Sequence, residues 1–281
     1  MAIEKPRKLN FGTAGIPITT EIRTTENGIK RVAELGLDAM ELEFVRNINI
    51  SAKKAPEIKK VAKEHNVLLT CHAPYFINLN AKEKAKLEAS KERIFNSAKI
   101  AYLCGAYSVC FHPGFYMKES SQTVFKKIKT ALEDVVKRLM DNSIEIWVRP
   151  ELTGKPTQFG DLDEIIKLSQ EIEYVLPCID FAHLHARYFG KYNSYDDWAS
   201  VLEKIENALG KEAIENMHIH ISGINYTAKG ERNHLNLEES DLNYKDLLKA
   251  LKDFKVKGVV ISESPNIEGD AILMKKTYEK L

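Results

Sequence analysis

The sequence is short of several features that would have placed it in a class at once. It has four cysteines, Cys71, Cys104, Cys110 and Cys178, in 281 residues. None forms a Cys-x-x-Cys pair, which argues against a thiolate zinc knuckle or a thioredoxin-like site. No apolar run approaches the roughly 20 residues that span a bilayer, so no membrane partner is expected. Residues 1–10 are polar and charged, unlike a secretory signal. The cysteines therefore read as core fillers of a reduced, cytoplasmic protein. Charge of one sign is also lacking: 41 Lys and Arg face 40 Asp and Glu, a net +1. A dedicated polyanion binder usually carries a cationic surplus, although net charge is silent about a local basic rim. No Gly-x-Gly-x-x-Gly follows the first strand pattern, so a dinucleotide fold gains no support.

What is present is a regular alternation. Short apolar runs of strand type lie at 9–15, 39–45, 67–71, 108–111, 144–148, 175–179, 217–221 and 258–262. Helical patterns fall between them at 25–35, 52–65, 82–104, 121–141, 162–171, 195–209, 245–254 and 269–280. Ile128, Ala131, Leu132, Val135, Val136 and Leu139 recur at helical spacings of three and four. The strand runs are largely apolar, as expected of a parallel sheet covered by helices. Gly36 and Gly105 stand where left-handed helix caps belong. Eight βα units at this length predict one domain, 1–281, folded as a single (β/α)₈ barrel. A doubly wound open sheet is the runner-up. The longest region without a pattern is roughly 222–243, a length usually tied to function or mobility.

The chemistry gathers at strand ends. Of eight histidines, only His65 lies in a helical pattern, where the helix dipole favours it near the C-terminus. His72, His112, His183, His185, His218 and His220 sit in or just after strand runs, and His234 lies in the long loop. Glu151, Asp180 and Glu263 take equivalent places. In a barrel these positions share the C-terminal face of the strands, where active sites form. Each residue alone has an ordinary structural reading, such as a cap or an ion pair. Six successive strand ends with a ligand-type residue each are harder to explain without a cation. Imidazole with carboxylate suits zinc or manganese better than magnesium.

At these residues the chain resembles endonuclease IV, the zinc-dependent apurinic/apyrimidinic endonuclease of the xylose-isomerase-like TIM barrel superfamily, as a divergent member. His72-Ala73-Pro74-Tyr75-Phe76-Ile77-Asn78-Leu79 is similar to its His-x-x-Tyr-x-Ile-Asn-Leu motif. Phe111-His112-Pro113-Gly114, Glu151 with Thr153-Gly154, Cys178-Ile179-Asp180 with His183, Met217-His218 and Glu263 follow in the family's order. The resemblance implies a barrel holding two to three zinc ions, with manganese as a substitute. By that resemblance His72, His112 and Glu151 hold the first ion. Glu151 bridges to a second, completed by Asp180, His218 and Glu263. His183 helps hold a third. Glu151 and Glu263 would be the catalytic carboxylates, and Tyr75 and Asn78 the substrate-binding residues. The third site departs from the family's Asp-x-His: Glu231 and Asn233 stand in register, with His234 one residue later. His220 shares the strand face of His218 and could replace a ligand or support one.

The implied activity is metal-dependent phosphodiester hydrolysis, cutting DNA 5′ to abasic sites. The implied partner is DNA containing such sites, with no obligate protein partner evident. Arg149 and Arg187 lie near strand ends and could contact phosphate or form structural ion pairs. The alternative is a xylose-isomerase-like sugar isomerase or epimerase with a divalent metal in the same mouth. A weakly catalytic relative that binds metal or nucleic acid in a regulatory way is a third reading.

Overall fold

The computed structural model describes Ile3 and residues 5–281. The parts of the expected domain and of its polar start that fall on Met1, Ala2 and Glu4 lie outside the described residues. Eight strands form one parallel sheet: β1 (Leu9–Ala14), β2 (Ala39–Glu43), β3 (Leu68–His72), β4 (Ser108–Phe111), β5 (Trp147–Pro150), β6 (Cys178–Asp180), β7 (Met217–Ile221) and β8 (Gly258–Ser262). Their hydrogen-bonded order runs β5-β4-β3-β2-β1-β8-β7-β6. Single bridges Val148–Val175 and Glu151–Cys178 join β5 to β6, and the Leu152 N–H donates to Cys178 O at 3.0 Å. The sheet is thus a nearly closed (β/α)₈ barrel, as expected. Strand packing leaves no room for a side chain at Gly12, where a Cβ would lie 2.2 Å from Ala39 O.

The helices follow the apolar stripes. They are α1 (Thr25–Glu34), α2 (Ala55–Glu64), α3 (Lys84–Leu103), α4 (Ser121–Asp141), α5 (Leu162–Glu171), α6 (Phe181–Arg187), α7 (Tyr195–Leu209), α8 (Lys211–Ile214), α9 (Tyr244–Asp253) and α10 (Glu268–Lys280). In α4 the predicted stripe is the buried one, and the Ser120 side chain caps the start by accepting from Thr123 N–H. Capping boxes at Asp161/Glu164 and Ser194/Asp197 fix where α5 and α7 begin. Gly36 and Gly105 take the expected left-handed backbone, φ +70° and +81°.

Three expectations are corrected. The fifth and sixth strands begin three residues later than their apolar runs: Ile144 and Ile146 are buried in the approach to β5, and Val175 pairs with Val148 only as a single bridge before β6. The region 222–243 is not irregular: Gly223–Thr227 and Gly230–Leu235 pair as an antiparallel hairpin with a register shift at Asn225/Tyr226. Its polar alternation hid it. His183 and His185 lie on helix α6, a seven-residue element too short for periodicity to reveal. His65 is the cap residue at the C-terminus of α2. Among the described residues no helix is long and apolar enough to cross a membrane.

Candidate metal centre

Six strands, β3 to β8, deliver a residue at or just past their ends to one mouth. Glu151 follows β5 and is fully buried. Four imidazoles reach its carboxylate. His72 Nε2 lies 3.0 Å from Oε2 and His112 Nε2 3.4 Å from the same oxygen. His183 Nδ1 and His220 Nδ1 each lie 3.3 Å from Oε1. The His72 ring is oriented from behind, since its Nδ1 donates to Ala73 O at 2.7 Å, whereas His183 Nδ1 also lies 3.0 Å from Leu152 O. Asp180 ends β6 and caps α6, accepting from His183 N–H at 2.6 Å. Its other oxygen is buried and accepts no hydrogen bond. Glu263 follows β8, with Oε1 3.4 Å from His220 Nδ1.

The hairpin supplies the remaining wall. Glu231 Oε2 lies 3.6 Å from His183 Nε2. His234 Nδ1 donates to Glu263 O at 3.1 Å, and its ring sits 5.5 Å from that of His183. Gly154 is what lets this happen. A Cβ there would lie 2.6 Å from Glu231 Cβ and 3.0 Å from His183 Cδ2. Tyr75 is exposed at the rim, with its ring edge-on to His72 at 5.4 Å. A cavity of about 300 Å³ opens here, walled by Tyr75, Ile77, Phe115, Lys155, Gln158 and the histidines.

Two expected residues are placed otherwise. His218 is not at the mouth: it lies deeper, with Nε2 2.8 Å from Glu41 Oε2 and Nδ1 2.9 Å from Ser108 Oγ. His220, two residues on, stands where His218 was expected. Asn78 is half-buried, and its Oδ1 accepts from the N–H groups of Asn80 and Phe115, holding the loop beneath the rim. Arg149 and Arg187 are buried. Arg149 donates to Pro177 O and Asn216 O, and Arg187 to Lys155 O and Gln158 O, so both serve structure. His185 is held by Tyr192 O and Asp241 outside the mouth. Sequence reasoning missed Glu41 and Glu43. The only signal was their i, i+2 spacing in β2, which puts both on the inward face.

The electrostatics are those of a charged cluster shut away from water. Burial favours neutral forms, yet Glu151 stays well below the ordinary carboxylate range because His112 and His220 face it. Burial likewise opposes the charge on His72, but the Glu151 hydrogen bond and charge raise it to about 10. His183 is raised well above the usual range by Asp180 and Glu151 despite its burial. Glu43 is pushed up to about 8 by burial and by the charge of Glu41, and its Oε1 has no hydrogen-bond partner. Burial pushes Asp180 well above its usual value.

Several overlapping groups could hold cations. His112, Glu151 and His183 form one, Asp180, His183 and His234 another, and Glu151, Asp180, His220 and Glu263 a third. A further group joins His72, Cys110 and Glu151. Within each, one donor atom per residue lies within 4.8 Å of the others. The orphaned Asp180 oxygen and the nitrogen-oxygen donor set both fit a divalent transition metal.

Comparison with known proteins agrees with the architecture. The chain is 46% identical over 273 residues to the uncharacterized protein MJ0133 of Methanocaldococcus jannaschii, covering 97% of this chain and 98% of that one. It is 24% identical over 213 residues to a probable endonuclease 4 of Mycoplasma pneumoniae, covering 73% and 71%. In three dimensions it is similar to a D-tagatose 3-epimerase-like protein, with TM-score 0.73, 20% identity and coverage of 95% and 96%. It is also similar to endonuclease IV from Thermus thermophilus, with TM-score 0.70, 17% identity and coverage of 96% and 100%. Residues 29–278 match the xylose isomerase-like TIM barrel family, and the chain belongs to that family.

Proposed function

We propose that the protein is a metal-dependent phosphodiesterase of endonuclease IV type, cutting DNA on the 5′ side of abasic sites. One observation carries the reading: the candidate ligand groups at the mouth overlap, sharing Glu151 and His183. A sugar isomerase can work with one or two divalent ions, whereas overlapping ligand groups suit two to three neighbouring ions. Neighbouring ions suit in-line displacement at phosphorus, where both the attacking and leaving oxygens need positive charge. The distant endonuclease 4 relatives support the same class.

His72, His112 and Glu151 would hold one zinc ion, Glu151, Asp180 and Glu263 a second, with His220 Nδ1 facing the Glu151 and Glu263 carboxylates, and His183 with His234 or Glu231 a third. Manganese is an alternative occupant. Bound there, the metal supplies Lewis acidity and lowers the pKa of water to near neutrality.

The chain's own groups do the rest. Glu151, reached by four imidazoles, holds those rings in one orientation. Glu263 is partly open to the cavity and can accept a proton at Oε1. Lys155 is a cation lining the cavity and can pair with a phosphate. Tyr75 offers an exposed ring face at the rim, on which a base or deoxyribose can pack. An abasic nucleotide reaches such a recess cheaply, because it has no base to unpair.

The test is incubation of the full-length protein with a duplex carrying one abasic analogue, with added zinc or manganese and with or without chelator. Chelator-sensitive cleavage at the analogue is expected. No cleavage under any metal would move the protein to the isomerase class.

A further inference from the structure

Below the mouth lies a second cluster, which that reading leaves without a role except for His220. Cys110, Cys178, His218 and Glu41 each stand two residues before a mouth residue: His112, Asp180, His220 and Glu43. Strand alternation therefore puts them on the same inward face, one layer deeper. Such a layer is usually filled by branched apolar side chains. Here it contains two thiols, an imidazole and a carboxylate, with the His220 ring reaching down to them, and Glu41, His218 and both cysteines are fully buried. Polar groups so placed are costly unless satisfied.

Hydrogen bonding satisfies them only in part: Thr70 Oγ1 donates to Glu41 Oε2 at 2.8 Å and Cys110 Sγ to Cys71 O at 3.5 Å. His218 Nε2 lies 2.8 Å from Glu41 Oε2, and His220 Nε2 lies 2.9 Å from Glu41 Oε1. Yet His218 Nε2 and Glu41 Oε1 take part in no hydrogen bond. These are ion-pair contacts at 2.8 and 2.9 Å that leave two buried polar atoms without a hydrogen bond. Donor atoms of Cys110, Cys178, His218 and His220 all lie within 4.8 Å of one another, and Cys110 Sγ is 3.8 Å from His220 Nε2. Tetrahedral zinc with two sulfur and two nitrogen ligands needs separations of about 3.3–3.8 Å, from bond lengths of about 2.3 and 2.0–2.1 Å. Small shifts of side chains would close that shell. The His218 ring is already fixed from behind by Ser108 Oγ at 2.9 Å, the support that metal-ligating imidazoles commonly have.

We infer that Cys110, Cys178, His218 and His220 bind one thiophilic divalent ion of the zinc class, buried beneath the mouth and distinct from the ions proposed there. Binding expels to solvent the protons these four ligands still hold, the extra proton on His220 included, and leaves two thiolates and two neutral imidazoles around the ion. The two thiolates neutralise the ion, and Glu41 stays at its edge, held by Thr70 Oγ1 at 2.8 Å. His220 then faces this ion through Nε2 and the mouth carboxylates Glu151 and Glu263 through Nδ1. The inference stands whether or not the mouth cleaves DNA.

The test uses full-length protein purified under reducing conditions, stripped by chelator and reloaded with zinc or cobalt(II). X-ray absorption of the zinc form should show a sulfur shell at about 2.3 Å. The cobalt form should show sulfur-to-metal charge-transfer absorption. Cys178→Ser should weaken both signals and lower bound metal by one equivalent. Glu263→Gln, which removes none of the four ligands, should keep the sulfur shell. A metal-loaded wild type with only nitrogen and oxygen neighbours would overturn the inference, as would a Cys178→Ser protein with unchanged metal count and sulfur shell. The wild-type spectrum decides even if the variant does not fold.

Discussion

Replacing Glu151 with Gln keeps the shape of the side chain and removes the charge that four imidazoles share. The cost in metal-free protein can be worked from His72. Its conjugate acid is raised from the ordinary 6.5 to about 10, with Glu151 the leading cause acting against burial. Each unit is worth about 1.4 kcal/mol, so the charged pair contributes up to about 5 kcal/mol, and about 4 kcal/mol at pH 7. Breaking a buried pair by removing one partner typically costs about 3–5 kcal/mol, which agrees. The sign follows from the upward shift: the contribution is complete below pH 6.5 and is lost as pH rises through 10. Urea unfolding of wild type and Glu151→Gln in excess chelator should therefore differ by about 3–5 kcal/mol at pH 7, with the gap narrowing toward pH 10. A difference under about 1 kcal/mol at pH 7 would refute the claim that Glu151 anchors a charged imidazole cluster.

Further outcomes follow from the same geometry. His72, His183 and His220 hold protons in the metal-free state, so zinc binding must expel them. Calorimetry in two buffers of different ionisation enthalpy should reveal proton release, and affinity should rise from pH 7 to 9; a pH-independent affinity would contradict this. Gly154→Ala would force Glu231 away from His183 and should cost about 1–3 kcal/mol of stability. Bound zinc per chain, counted by elemental analysis, should also fall. Tyr75→Ala should leave the zinc count unchanged and reduce abasic-duplex cleavage about fivefold or more, since a stacked ring contributes about 1–3 kcal/mol. An unaltered cleavage rate would remove Tyr75 from the substrate site.

Much of the fold was legible because its signals are local. The stripe from Ile128 to Leu139 and the cap at Ser120 specify α4 without reference to the rest of the chain. The mouth was legible because strand ends converge in any barrel, so His72, His112, Glu151, Asp180 and Glu263 could be grouped before their geometry was known. What sequence did not give is depth. His218 and His220 have the same parity on β7, and alternation cannot say which of them reaches the rim. The barrel's stagger decides it, placing His220 beside Asp180 and His218 beside Cys178. Glu41 and Glu43 were overlooked because β2 is short and apolar at its other positions. The hairpin 223–235 was missed because its residues are polar, and its pairing depends on packing against α6.

The central claim is phosphodiester hydrolysis at the barrel mouth. One zinc-loaded preparation, offered a 5′-labelled duplex with a single abasic analogue and, in parallel, a panel of ketohexoses, tests it most directly. The account predicts cleavage on the 5′ side of the analogue, abolished by chelator and by Glu151→Gln, with the ketohexoses unchanged. Metal-dependent epimerisation of a ketohexose by a preparation that leaves the duplex intact would contradict it.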